Sequence, residues 1–583
     1  MPGKDSHLSA SAYGYDFVVA TTQQSINATM LAFLASRKEP VANICYIAGS
    51  KPGTLERIDY DELKKRANGT DPFALPATLP IDSPEFLNLR AARFRVGIRA
   101  QLGIPQVSDP TKLPDVVILG TNTSAVTFNM LCSDFVVVKR TTADEDYPAS
   151  WFRASQPKDA PWIISSNVDL RLSTVGSNKY DTLPPAVQAQ IKNMSATAFS
   201  VQQLLFDLAH ATLSSPPHLV GIDPGTDEYN VITNNFINLY VAQLQAEGQP
   251  LLGCSVVQQT VSKATMAITN MDLEVSAFVD GDGQPIHMPD SQQANLATLN
   301  YLCAADGNKL PGPKQFEWNW VDQAGAKDHH GVVSINRNTL VNYFRQQMDL
   351  YVPDVCLQPN VRVTLDGLKV WFEWSFSRKQ SPTVTTPLVT DLPLTTTTVL
   401  EYSWDSARAY DQAGLDGAEG AMELRSSFHM TVQFTDTRII ITQRLVVYLD
   451  VRVELTSSRA NIYDKTIIDT FNLEITGKGE LLTTPSEPYT KDDSKSAGTN
   501  AFVDFFTHFN NLTDDIKTWT DEFASPSQKN IPVGVVRNYV FPGGQTFAFK
   551  EARFSDYQDL TATITYVDPN KPFTVPAAPI NLK

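Results

Sequence analysis

The residues with the strongest claim to chemistry are His329-His330, which follow Asp328. Imidazole and carboxylate are metal ligands, but adjacent side chains diverge, so this pair needs distant partners to close on one ion. Neither H-E-x-x-H nor C-x-x-C occurs to supply them. Asp280-Gly281-Asp282-Gly283 has the acid-glycine rhythm of a calcium loop, yet lacks the glutamate that closes such a loop. A hairpin turn fits it better. Gly49-Ser50-Lys51-Pro52-Gly53 places serine directly after glycine, the wrong spacing for a nucleophile elbow. Leu119-Gly120-Thr121-Asn122 follows an apolar run but lacks the further glycines that bring backbone amides onto a phosphate. His429 falls on the polar side of an alternating run, opposite Phe428, Met430 and Val432, and reads as a surface histidine. Trp318, Trp320, Trp371 and Trp374 could stack on a sugar ring, but their strand-like spacing points to sheet-face packing. The expectation is a protein that is not an enzyme and holds neither metal nor cofactor.

The elements that would position a site are clearer. Tyr15-Asp16-Phe17, an amphipathic stretch and then Pro40 with Val41-Ala42-Asn43-Ile44-Cys45-Tyr46-Ile47 form one unit. Asp227-Glu228-Tyr229, a second amphipathic stretch and then Pro250 with Leu251-Leu252-Gly253-Cys254-Ser255-Val256-Val257 form another. Each predicts a helix, a proline break and a cysteine-bearing strand. The first helix is predicted over 17–34, with Val19, Thr22, Ile26, Met30 and Phe33 on one face. The second is predicted over 228–246, with Ile232, Phe236, Leu239, Tyr240 and Leu244 on one face. Further helices are predicted over 185–210, 339–348 and 501–523. Strands are predicted at 116–119, 135–138, 271–279 and 316–320, with hairpins joining 361–365 to 368–376 and 428–434 to 439–455. A last strand pair is expected around Phe541-Pro542-Gly543-Gly544. In the second hairpin Leu449, Val451, Val453 and Leu455 alternate with Asp450, Arg452 and Glu454, as in an antiparallel sheet with one wet face. Residues 381–400 and 477–500 read as linkers, and 407–423 as an exposed loop.

Length and composition bound the function. The chain has 583 residues, 42% of them hydrophobic and 10% aromatic, enough for several folded domains. The formal charge of −16 argues against nucleic acid and anionic membrane as partners. No stretch is apolar for long enough to cross a membrane as a helix. Residues 1–12 carry no apolar signal region, so a cytoplasmic protein is expected, with non-classical export left open. Cys45, Cys132, Cys254, Cys303 and Cys356 lie mostly in apolar runs and read as buried free thiols. The sequons at Asn27, Asn68, Asn122, Asn193 and Asn511 read as chance without a secretory signal.

One string carries a family resemblance: Tyr13-Gly14-Tyr15-Asp16-Phe17-Val18-Val19-Ala20, leading into a helix with Ile26-Asn27. It resembles the N-terminal signature of the tubular lipid-binding (TULIP-like) proteins, in the branch of companion proteins encoded beside clostridial neurotoxins and their bacterial and fungal relatives. Leu299-Asn300-Tyr301-Leu302-Cys303, Phe316-Glu317-Trp318-Asn319-Trp320 and Tyr539-Val540-Phe541-Pro542-Gly543-Gly544 add weaker support across the chain. Tyr15 stands where the bacterial relatives usually have Trp. The resemblance implies an α+β, β-dominated fold: two modules of long curved antiparallel sheet, each wrapped around a long helix, with an apolar groove between. The modules are expected at 1–215 and 216–480, with 481–583 packing back on one of them. The resemblance also implies non-catalytic binding of a lipid or other hydrophobic small molecule. The expected groove residues are Ile26, Met30, Phe33, Phe236, Leu239 and Leu244, for each of which plain core packing is the competing reading. The alternative function is a structural or protein-interaction component, a toxin-complex or assembly partner, whose modules are filled.

Overall fold

The computed structural model describes residues 2–36, 41–109, 112–120, 124–143, 148–174, 199–206, 212–213, 229–230, 233–238, 240, 253–258, 268–378, 380–386, 397–415, 417–475, 481–495, 539–541 and 545–567. Strands dominate them, and neighbouring strands pair antiparallel. A 13-stranded sheet runs in the order Ile268–Ser276, Thr298–Ala305, Phe17–Thr22, Gly331–Ile335, Leu560–Val567, Gln545–Phe554, Tyr539–Phe541, Gly253–Gln258, Phe199–Phe206, Ile164–Thr174, Ala125–Met130 and Val117–Leu119, with Thr212–Leu213 pairing on Ile164–Thr174. It draws strands from residues 1–215, 216–480 and 481–583 alike. A five-stranded sheet runs Leu55–Ile58, Val41–Ala48, Phe94–Leu102, Cys132–Arg140, Trp151–Ser155. An 8-stranded sheet is built on Ala418–Thr435, Arg438–Val453 and Thr456–Ile475, strands of 18, 16 and 20 residues. The hairpin of Gln358–Asp366 and Lys369–Ser377 packs over its Ala409–Leu415 and Ala418–Thr435 strands.

The fold is thus β-dominated, with several antiparallel sheets. The expected wrap of each module around a long helix is not what the described residues form. Their helices are few and short, the longest being Gln23–Ser36 with 14 residues and Arg337–Val355 with 19.

Several local expectations need correction. The predicted helix over 17–34 starts six residues late, because Phe17–Thr22 is a strand. Phe17 and Val19 enter the main core, while Val18 and Ala20 enter a second core with Tyr13, Tyr15, Phe316 and Trp320. A strand buried on both faces reads as a continuous apolar run, and the β-branched pairs Val18-Val19 and Thr21-Thr22 favour it. Thr22 ends the strand and caps the helix, its Oγ1 accepting from the Ser25 N–H at 3.3 Å. The second half of the predicted 185–210 helix is likewise a strand, Phe199–Phe206, paired to Ile164–Thr174 and Gly253–Gln258. Residues 175–198 and the predicted helix over 501–523 lie outside the described residues.

Phe316, Trp318 and Trp320 do not form a strand. Side chains hold this segment instead: Asn319 Oδ1 accepts from Val279 N–H at 2.9 Å and its Nδ2 donates to Val279 O at 2.8 Å. The expected 407–423 loop is a hairpin arm, Ala409–Leu415 paired with the start of Ala418–Thr435. The expected 477–500 linker holds two short strands, Leu481–Pro485 and Tyr489–Asp492, on the edge of Thr456–Ile475. The expected 381–400 linker contains Thr383–Thr385 and the start of Thr398–Asp405. Leu455 does not continue the alternation of its strand; it lies in the following turn, fully exposed.

Other expectations hold. The hairpins around Gly367 and residues 436–437 form, though Leu368 and Leu455 fall in turns and not in the strands, Gly367 taking the φ of 61° that glycine tolerates. The Asp280–Gly283 run is a turn closed by Asp280 N–H to Gln284 O at 2.9 Å. Cys45, Cys132, Cys303 and Cys356 are buried free thiols. The strand of the first repeat, Val41–Ala48, sits in the five-stranded sheet, whereas that of the second, Gly253–Gln258, sits in the 13-stranded sheet. The two copies share local order but not position.

Candidate functional site

The N-terminal helix Gln23–Ser36 buries Ile26, Met30 and Leu34, four residues apart and hence on one face. Its neighbouring face is polar and also occupied. Asn27 Oδ1 accepts from Val117 N–H and its Nδ2 donates to Val117 O, both at 2.8 Å. One turn earlier, Gln23 Oε1 accepts from Leu119 N–H at 2.6 Å. The two amides satisfy the edge strand Val117–Leu119, where a backbone partner would otherwise stand. Amides at i and i+4, Gln23 and Asn27, beside the apolar face were the sequence signal for this role.

Phe236 lies in the helical stretch 233–238 and packs edge-on to Phe135, ring centres 5.3 Å apart. Tyr240 is 5.8 Å from Phe236, and its hydroxyl accepts from Leu131 N–H at 3.2 Å. Ile26, Met30 and Phe236 are 2%, 1% and 1% exposed and belong to one continuous core. Structure therefore brings these three of the six expected groove residues into a packed interior. The Phe33 side chain, Leu239 and Leu244 lie outside the described residues.

The long helix Arg337–Val355 makes the second helix–sheet seam. Leu340, Val341, Phe344, Met348, Val352 and Val355 face inward at three- and four-residue steps. Phe344 lies 5.9 Å from Phe434, Tyr402 Oη donates to Asp349 Oδ1 at 2.7 Å, and Tyr351 Oη donates to Gln443 Oε1 at 3.0 Å. Between Tyr351, Val355, Phe428, Gln443, Leu445 and Ile467 remains about 10 Å³, roughly the space of one water. On its other side the helix lines an open polar cleft of about 340 Å³, with Asp306, Asn308, Asn342, Arg345 and Asp349 among its walls.

The Tyr13-Gly14-Tyr15-Asp16 string anchors this helix. Gly14 has φ of 75°. Tyr13 and Tyr15 are buried against Phe316, at 5.1 and 6.0 Å. Asp16 accepts from Ala305 N–H at 2.7 Å, from Asn308 Nδ2 at 3.1 Å and from the Thr339 hydroxyl. Asn336, the helix cap, donates its Nδ2 to Tyr15 O at 2.8 Å. An acid at a helix N-terminus is also favoured by the helix dipole. Every residue of the string therefore has a structural task.

Two more acids, Asp559 and Glu274, are wholly buried, at 0% exposure. Asp559 accepts from Leu8 N–H at 2.6 Å, Arg337 N–H at 2.9 Å and Ser6 Oγ at 2.9 Å. Burial raises its pKa, opposed by those bonds. Glu274 accepts from Asn300 Nδ2 at 2.6 Å and from Ser276 Oγ at 2.7 Å. Burial pushes its carboxyl up to about 7. Both are tied into strand-to-loop junctions and line no described cleft with a nucleophile. Burial holds the Cys45 thiol up at about 12, far from a reactive thiolate. His330 is pushed down to about 4 by burial and stays neutral. Among the described residues no group of three His, Cys, Asp or Glu side chains is placed to hold a metal ion. His429 is on the surface beside Glu401, 2.8 Å away. No described helix is long and apolar enough to cross a membrane.

No protein-family model and no curated protein matches the chain. Two solved structures that match are both distant. P47 from Clostridium botulinum A2 is 8% identical, with 94% of this chain and 97% of that chain covered and a TM-score of 0.38. Lipopolysaccharide binding protein is 8% identical, with 95% and 99% covered and a TM-score of 0.27. At these TM-scores neither likeness supports an assignment.

Proposed function

We propose that this chain is a non-catalytic structural or interaction component whose helix–sheet seams are filled and which works through its outer surface. The observation that carries this reading is the packing of the expected groove residues. Ile26, Met30 and Phe236 sit at 1–2% exposure in a continuous core, and the described pocket in the long-helix seam, between Tyr351, Phe428 and Leu445, holds about 10 Å³. Drug-sized ligands need pockets of about 300 Å³ or more. The described clefts of that size, about 340 and 420 Å³, are polar, and so are matched to water and ions rather than to an acyl chain. The resemblance string supports the same reading, since the Tyr15 carbonyl and Asp16 hold the start of the long helix to the sheet.

The test is native mass spectrometry of the purified full chain, with a thermal-shift screen over fatty acids and phospholipids. A mass equal to the polypeptide and unshifted melting are expected. A co-purifying apolar mass, or a shift with a monomeric lipid, would overturn the reading in favour of a lipid-filled groove.

A further inference from the structure

Three hairpin turns at one end of the 8-stranded sheet each present a leucine, where turns ordinarily carry polar residues or glycine. Leu368 lies in the turn between Gln358–Asp366 and Lys369–Ser377. Leu415 closes Ala409–Leu415 at its turn into Ala418–Thr435. Leu455 lies in the turn between Arg438–Val453 and Thr456–Ile475. Their exposures are 61%, 72% and 104%.

The ladder brings them to one end. Leu415 pairs with Ala418, Gly420 with Val453, and Val453 with Thr456. Glu454 N–H donates to Glu419 O at 3.0 Å, locking two of the turns side by side. The third turn joins them, because the Leu368 Cδ2 lies 3.7 Å from where a Cβ on Gly417 would stand.

Charged side chains share the tip with the leucines. Beside them Glu419, Arg452, Glu454 and Arg459 line polar clefts of about 240 and 420 Å³, the smaller one also lined by Leu455. Trp371, on the outward face of Lys369–Ser377, stands three residues back from Leu368, about 10 Å along the strand.

We propose that this three-leucine tip docks on the surface of a lipid bilayer with zwitterionic head groups. A protein partner would require a continuous apolar centre with a polar rim, and here ionic side chains separate the prongs. A bilayer accepts separate aliphatic prongs while charges stay among the head groups and a tryptophan sits at the interface. Both signs of charge, Glu419 and Glu454 with Arg452 and Arg459, lie beside the leucines, which complements a zwitterionic head group. The chain's −16 charge disfavours an anionic lipid. The proposal extends the outer-surface reading above and is tested separately from it.

The experiment is flotation of the full chain with phosphatidylcholine vesicles at low and high salt. It compares wild type with L368S/L415S/L455S and with L350S, an exposed leucine of the long helix. The wild type and L350S should float at both salt concentrations, and the triple variant's partition should fall by about tenfold or more. Equal melting temperatures check that the variants fold. The proposal is overturned if the wild type does not float, or if the triple variant floats as well as wild type. Leucine-dependent self-association without flotation also overturns it, in favour of a second copy as occupant. A lipid-free native mass together with absent flotation would remove the tip proposal and leave the filled-seam reading in place.

Discussion

Asp16 is the residue on which most depends. It joins the strand Thr298–Ala305, Asn308 and the first turn of the long helix through three donors. Asp16→Ala leaves those donors without their acceptor in the interior, so a loss of about 2–4 kcal/mol is expected, measured by urea unfolding. Glu274 gives a pH signature. Its folded-state pKa of about 7 lies above the ordinary 4.5, so the folded state favours the protonated form. That contribution is fully present below about pH 4.5 and is lost as pH rises through 7, costing on the order of 3 kcal/mol. Glu274→Gln should flatten this part of the profile and be more stable than wild type at pH 8. Equal pH slopes for the two proteins would contradict the assignment. Asp16 was visible in the sequence as part of a conspicuous string, but its task was not, because its partners lie 289 to 323 residues away.

At the scale of elements, the edge strand Val117–Leu119 depends on side chains of the N-terminal helix. Asn27→Ala should cost about 1–3 kcal/mol and speed hydrogen exchange at the Val117 amide, while the amides of Val41–Ala48 keep their protection. Unchanged exchange at Val117 would show that the Asn27 pair does not hold that edge. Phe344→Ala, which empties the long-helix seam against Phe434, should cost about 3–5 kcal/mol, read by thermal and urea unfolding. Hairpins were the most legible elements in the sequence: Phe428 to Phe434 alternates cleanly, and Gly367 marks its own turn. Helix starts were less so. Val19, Thr22 and Ile26 satisfy helical spacing, yet Phe17–Thr22 is a strand buried on both faces, and periodicity cannot separate those cases. Phe316, Trp318 and Trp320 failed for the opposite reason. Their alternation mimics a strand, but Asn319 and Tyr13 hold the segment through side chains. Mostly polar runs such as 483–492 looked like linkers because edge strands pair largely through their backbones.

Across the whole molecule, the sequence indicated a β-dominated chain with antiparallel hairpins, and the described residues form several antiparallel sheets. The candidate site was less legible. Apolar residues at helical spacing announce a buried face but not whether a ligand or a neighbouring side chain covers it. Ile26, Met30 and Phe236 are buried in one core. We propose that the chain carries no lipid inside and acts through its surface, and native mass spectrometry of the purified full chain is the measurement that decides it. A single mass equal to that of the polypeptide, 64.3 kDa, unchanged by gentle activation, is expected. A population heavier by the mass of a lipid, released as an apolar molecule on activation, would contradict it.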